Sequence, residues 1–124
     1  MPKNILIIED EVFISMMLED TVEKFGYKVL DKLRYGEEVM EKIDGYKNKP
    51  DLICSDIYLA GEINGIEVAK LVKEKYDIPI IFMSAFSDEE TIKEAKEVDY
   101  YDYMFKPIDE EKFLQTLKKL FGEE

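Results

Sequence analysis

Unbroken apolar runs alternate with segments of helical periodicity along this chain. That alternation narrows the fold more than any single motif does. Ile5, Leu6, Ile7 and Ile8 stand together, Leu52 to Ser55 are all apolar or small, and Ile80 to Met83 again carry no charge. Such runs read as short strands buried on both faces. The expected strands are 4–8, 27–33, 51–55, 80–83 and 101–105. Between them, Ile14, Met17, Leu18, Val22 and Phe25 recur at helical spacing over 11–25, and Gly26 is placed to end that helix in a left-handed cap. Further helices are expected over 36–43 and 66–76, from Asp88 onward, and after Asp109. The fourth helix is introduced by Ser87-x-x-Glu90, the form of a capping box, with Ile92, Ala95 and Val98 as its sparse apolar face. The last presents Phe113, Leu114, Leu117, Leu120 and Phe121, is capped by Asp109 and stops at Gly122. Five strands alternating with five helices demand an α/β parallel sheet with helices on both faces, joined by right-handed crossovers.

The chain's 124 residues suit one domain, and 46% hydrophobic residues suffice for a core. The formal net charge is −12, from 29 acidic and 17 basic residues. That balance argues against sequence-independent nucleic-acid binding, which needs a basic face. Tyr100, Tyr101, Tyr103 and Phe105 lie close together without interleaved basic residues, so they read as packing or protein-docking aromatics. The lone cysteine, Cys54, falls inside a strand and reads as a small core hydrophobe. No signal peptide and no membrane-length apolar run is visible, and one reduced thiol suits the cytoplasm. The chain contains no histidine, so the commonest general base and metal ligand is missing.

Chemistry-bearing residues stand where the strands end. Glu9 and Asp10 follow the first strand, Asp56 the third, Ser84 the fourth and Lys106 the fifth. In strand order 2-1-3-4-5 these ends converge on one crevice, at the edge where open α/β sheets bind ligands. Two carboxylates at ~4 Å repel by roughly 4 kcal/mol at an effective dielectric near ~20. A hard divalent cation would relieve that, and Mg2+ accepts one or two carboxylates while keeping water. Asp10 and Asp56 would then be direct ligands, Glu9 would act through water, and the backbone carbonyl of Tyr58 would complete the set. A carboxylate beside Mg2+ is a competent nucleophile toward phosphorus. The Lys106 ammonium and the Ser84 hydroxyl can serve the phosphoryl oxygens. Each of these residues has a blander alternative when taken alone: an acidic helix start, a loop marker, a turn cap or a solvated lysine.

The ordered set is more specific than its parts. Ile7, Ile8, Glu9, Asp10 and Glu11; Asp51 through Asp56; Gly65, Ile66, Glu67, Val68 and Ala69; Ser84 and Ala85; and Asp102 through Pro107 together resemble a response-regulator receiver domain, of the chemotaxis-receiver kind, along the whole of 1–124. The resemblance implies a flavodoxin-like (βα)5 fold in the order 2-1-3-4-5. It implies phosphorylation of Asp56 by a histidine kinase or phosphotransfer protein, with Mg2+ required. It implies a phosphoacceptor that assists its own phosphorylation and dephosphorylation, and not an enzyme in the usual sense. The Ser84 hydroxyl would move onto the phosphoryl group and Tyr103 would turn inward. The face of helix 4, strand 5 and helix 5 would thereby change for a downstream partner. A cis Lys106–Pro107 bond is also implied. On this reading the chain is a single receiver domain without an effector domain.

Three departures from the family pattern stand out. The loop after Asp56 is one residue longer than in the commonest receivers and lacks their proline. Asp99–Tyr100 replaces the usual Gly-Ala. Tyr58 and Phe86, each two residues beyond a site residue, are bulky and are expected to shield the phosphoryl group from water. Other functions fit less well. A haloacid-dehalogenase-like phosphatase needs an aspartate where Tyr58 stands. A flavin carrier of the same fold needs a Ser/Thr/Gly-rich loop where this chain is acidic. A receiver-shaped docking module that is never phosphorylated would not need the acidic set, Ser84 and Lys106.

Overall fold

The computed structural model describes residues 2–123. The two ends of the expected 1–124 domain, Met1 and Glu124, lie outside the described residues. Five strands, β1 (Asn4–Ile8), β2 (Lys28–Leu33), β3 (Leu52–Ser55), β4 (Ile80–Ser84) and β5 (Asp102–Phe105), form one sheet in the order 2-1-3-4-5. Every neighbouring pair is parallel. Helices α1 (Val12–Lys24), α2 (Val39–Gly45), α3 (Gly65–Lys75), α4 (Glu89–Ala95) and α5 (Glu110–Phe121) supply the crossovers and the final element. None of the described helices is long and apolar enough to cross a membrane.

The apolar runs are continuous because alternate residues serve opposite faces. Leu6, Ile8, Ile53, Ile80 and Phe82 pack with Ile43, Val72 and Ala95, on the side of α2, α3 and α4. Ile5, Ile7, Cys54, Ile81 and Met83 pack with Val22, Phe113 and Leu117, on the side of α1 and α5. Cys54 is fully buried, and burial pushes its thiol pKa up, as suits an inert core side chain. Each such aliphatic side chain contributes roughly 1.5–3 kcal/mol on burial.

Local signals mark most helix ends. Gly26 follows α1 at φ 93°, and Gly122 closes α5 at φ 68°. Asp109 caps α5 by accepting from Lys112 N. Asn64 caps α3 and forms a reciprocal box with Glu67. Three expectations need correction. The helix expected over 36–43 opens as a 3-10 turn, Gly36–Glu38, before α2 begins. The fourth helix is capped by Asp88 and not by Ser87, so it starts one residue later than expected. The Asp88 carboxylate reaches Thr91 N, and a charged acceptor on extended backbone outcompetes the hydroxyl before it. The buried side of α4 also differs, with Thr91 buried and Ile92 only half-buried; Ala95 lies inside as expected, while Val98 is buried but falls beyond the end of the helix.

Replacing fully buried Phe82 by alanine is expected to cost about 3–5 kcal/mol. Phe13→Ala on α1, at a side chain 81% exposed, is expected to change stability by less than about 0.5 kcal/mol. Urea unfolding followed by circular dichroism measures both.

Candidate functional site

Ladder hydrogen bonds fix the four strand ends that carry the site. Asp56 N donates to Ile8 O at 2.9 Å, and Glu9 N to Leu33 O at 2.9 Å. Lys106 N donates to Ser84 O at 2.9 Å. The side chains therefore start from rigid backbone. Gly65 tightens the arrangement further, because a Cβ there would lie 2.0 Å from Asp56 O. Its N–H donates to Ile57 O at 2.6 Å, pinning the start of α3 beneath the residue after Asp56.

The centre is an ammonium between two carboxylates. Lys106 Nζ lies 2.5 Å from Glu9 Oε1 and 2.9 Å from Asp56 Oδ2. Their side chains are 16%, 3% and 12% exposed, so water screens this cluster poorly. The other Asp56 oxygen, Oδ1, accepts from Ile57 N at 2.7 Å. Glu9 Oε2 is buried without a partner among the described residues. Desolvation by burial pushes the Glu9 pKa up to about 7, opposed by the Lys106 hydrogen bond and reinforced by Asp56. Burial alone would lower the Lys106 pKa, but the Glu9 and Asp56 carboxylates outweigh it and hold the ammonium above its usual value.

Asp10 joins the acids. One carboxylate oxygen each from Glu9, Asp10 and Asp56 lie within 4.8 Å of one another. One ammonium cannot neutralise three carboxylates, and Glu9 Oε2 lacks a donor among the described residues. The donor set is all oxygen, and it fits a hard divalent cation. Beside it, a cavity of about 300 Å3 opens between α1 and α5, walled by Ile14, Leu18, Ile108 and Phe113, with Glu9, Asp56 and Lys106 also lining it.

Ser84 and Tyr103 are not bonded to the carboxylates. Ser84 is fully buried, and its Oγ accepts from Phe86 N at 3.0 Å. The Tyr103 hydroxyl donates to Phe86 O at 2.8 Å. Both side chains thus hold the backbone of the same residue. The Tyr103 ring packs against Phe82, Tyr100 and Phe105, and its hydroxyl pKa is raised, chiefly by burial. The Tyr100 that departs from the family pattern is therefore part of the packing around Tyr103. The Lys106–Pro107 peptide is cis.

Tyr58 lies largely on the surface, and its ring meets Phe86 edge-on with centroids 4.5 Å apart. Its hydroxyl lies 2.8 Å from Thr91 Oγ1. Thr91 Oγ1 also sits 2.8 Å from Asp88 Oδ2, a carboxylate that only accepts. Thr91 spends its one proton there, so Tyr58 is the donor to Thr91. Thr91 went unnoticed in the sequence. Its one signal is its place four residues before Ala95 and seven before Val98, on the buried side of α4.

A family model described as the response regulator receiver domain matches residues 5–118. The chemotaxis protein CheY of Thermotoga maritima is 34% identical over 97% of this chain and 98% of its own length. The polar-differentiation response regulator DivK of Brucella anthropi is 33% identical over 99% of each. The chain spans 46% of the sensory transduction protein LytT of Bacillus anthracis, at 34% identity. Among solved structures, the signal receiver domain of a modulated diguanylate cyclase from Desulfovibrio desulfuricans superposes with a TM-score of 0.88, at 30% identity and full coverage of both chains.

The Glu9 environment predicts a pH signature for metal-free protein. A carboxyl whose folded pKa is raised from 4.5 to about 7 binds its proton more tightly when folded. Stability from this group is therefore greatest below about pH 4.5 and falls as pH rises toward about 7. Glu9→Gln is expected to remove that decline and to stabilise the chelator-treated protein at pH 8 by on the order of 1–3 kcal/mol. Urea midpoints taken between pH 5 and pH 8 read the effect.

Proposed function

The chain belongs to the response regulator receiver domain family, and from that premise we propose that it is a phosphorylation-dependent switch whose acceptor is Asp56. The observation that carries this reading is the Lys106 ammonium held between Glu9 and Asp56, each delivered by a different strand end. The donor is a phosphohistidine on a histidine kinase or phosphotransfer protein. An Asp56 oxygen attacks phosphorus, the P–N bond breaks, the P–O bond forms, and the departing imidazole nitrogen takes a proton. Mg2+, held by Asp10, Asp56 and the Tyr58 backbone carbonyl with Glu9 acting through water, would neutralise the charge carried by the phosphoryl oxygens.

The protein's own residues do the rest. Lys106 already lies on Asp56 and needs only to shift its bond from a carboxylate oxygen to a phosphoryl oxygen. The Ser84 hydroxyl accepts from Phe86 N, so its proton is free to be donated to the same group when the side chain turns toward it, and that turn would move Phe86. Tyr103 holds Phe86 O, so a displacement of Phe86 is transmitted to Tyr103 and to the face of α4, β5 and α5. That face then meets a downstream partner in the cytoplasm. The work is signalling in a two-component phosphorelay, without contact with nucleic acid or insertion into a membrane.

Incubation with acetyl phosphate and Mg2+ is expected to add the mass of one phosphoryl group to the wild-type chain. Asp56→Asn, or removal of Mg2+, is expected to abolish the gain. A gain that persists in either case would falsify the assignment. Tyr58→Asn and Phe86→Ala are each expected to shorten the lifetime of phospho-Asp56 severalfold, because the edge-to-face pair of bulky rings would shield the phosphoryl group from water. Loss of label after removal of the donor measures it, and unchanged lifetimes would remove the shielding role.

A further inference from the structure

The loop that follows Asp56 runs from there to the Asn64 cap of α3, and its second half is gripped by a segment distant in sequence. Glu37, in the 3-10 turn between β2 and α2, turns its carboxylate onto that loop. Its Oε1 accepts from Glu62 N at 3.1 Å and from Ile63 N at 3.0 Å. Gly61, just before, has φ +98°, and a Cβ there would lie 2.3 Å from Glu37 Oε2. On the residues flanking Glu37, Tyr35 forms an isolated parallel bridge with Ala60, and Gly36 presses against Ile63, where a Cβ would come within 2.8 Å. The same connection also touches the other acidic loop, since Arg34 Nε donates to Asp10 O at 3.3 Å. One short stretch, 34–37, therefore holds the backbones of both loops that carry the acids.

We infer that Glu37 is a positioning residue for the divalent-cation site, fixing the loop whose Tyr58 carbonyl serves as a ligand. The inference rests on the cation site proposed above. The loop is tied at its start by Gly65 N on Ile57 O and in its second half by Glu37, with Tyr58 between the two ties. A loop one residue longer has more conformations to lose when it binds an ion, and the Glu37 carboxylate removes many of them in advance. The role needs an acceptor oxygen at this position, not a negative charge. A glutamine side-chain carbonyl can accept the same two N–H bonds.

The test uses the full chain and Mg2+ alone, titrated by calorimetry, with amide exchange at Glu62 and Ile63 as a second readout. Glu37→Ala is expected to weaken Mg2+ binding roughly tenfold and to speed exchange at both amides. Glu37→Gln is expected to keep both near wild type. Gly61→Ala, which forces a side chain into left-handed backbone and toward the carboxylate, is expected to resemble Glu37→Ala. Wild-type affinity in Glu37→Ala despite faster exchange would overturn the inference and leave the cation site standing. An equal loss in Glu37→Gln and Glu37→Ala would also overturn it, by pointing to charge. A wild-type chain that binds no Mg2+, or whose binding ignores Asp10→Asn and Asp56→Asn, would overturn the cation site and this inference together.

Discussion

A poorly hydrated carboxylate must find a compensating charge or give up its own. Here Glu9 and Asp56 share one ammonium, and the sheet is arranged so that they can. Lys106 follows β5, Asp56 follows β3 and Glu9 follows β1, with β4 between the lysine's strand and the aspartate's. The lysine side chain must cross the end of β4, and β4 ends in the small residue Ser84. Strand order, strand length and the identity of the residue at the end of β4 are thus joined by one requirement. Removing the one ammonium from such a cluster would leave its carboxylates uncompensated, which costs far more than the pairing contributes.

The same requirement explains why the cluster is unfinished. An ion pair placed only for stability would satisfy its lone pairs, yet Glu9 Oε2 has no donor among the described residues and Asp10 adds further negative charge. Interiors tolerate that when a ligand supplies the missing positive charge at the moment of use. Frustration of this kind at a strand edge is where a binding site is expected to depart from the packing rules that govern the rest of the chain.

Most of the architecture was legible because it is written locally. A strand covered on both faces must be apolar at every position, so β1, β3 and β4 announce themselves, and Gly26, Asp109 and Gly122 mark helix ends through the backbone conformations and caps they favour. Asp56 and Lys106 were legible as candidates because each interrupts or follows such a run. What escaped notice depends on partners far away in sequence. Glu37 looks like any surface acid until Glu62 and Ile63 are brought to it across 25 and 26 residues. Thr91 is a polar residue on a helix face that packs inward, and its burial makes sense only once Tyr58, 33 residues earlier, is seen to donate to it. The cap of α4 is ambiguous in the sequence for a subtler reason: Ser87 and Asp88 can both cap, and the carboxylate wins because it accepts from both the backbone N–H and the hydroxyl of Thr91.

The two apolar clusters on either side of the sheet share no side chain among the described residues. They are insulated from each other by the hydrogen-bonded backbone of five strands, a layer that shears little. Past the strand tips atoms anchored to one half can touch atoms anchored to the other, and the Glu9, Asp56 and Lys106 cluster occupies that seam. A charge added there bears on both halves at once. Helices on opposite sides of the molecule can therefore respond to one event without any signal having to cross the middle of the protein.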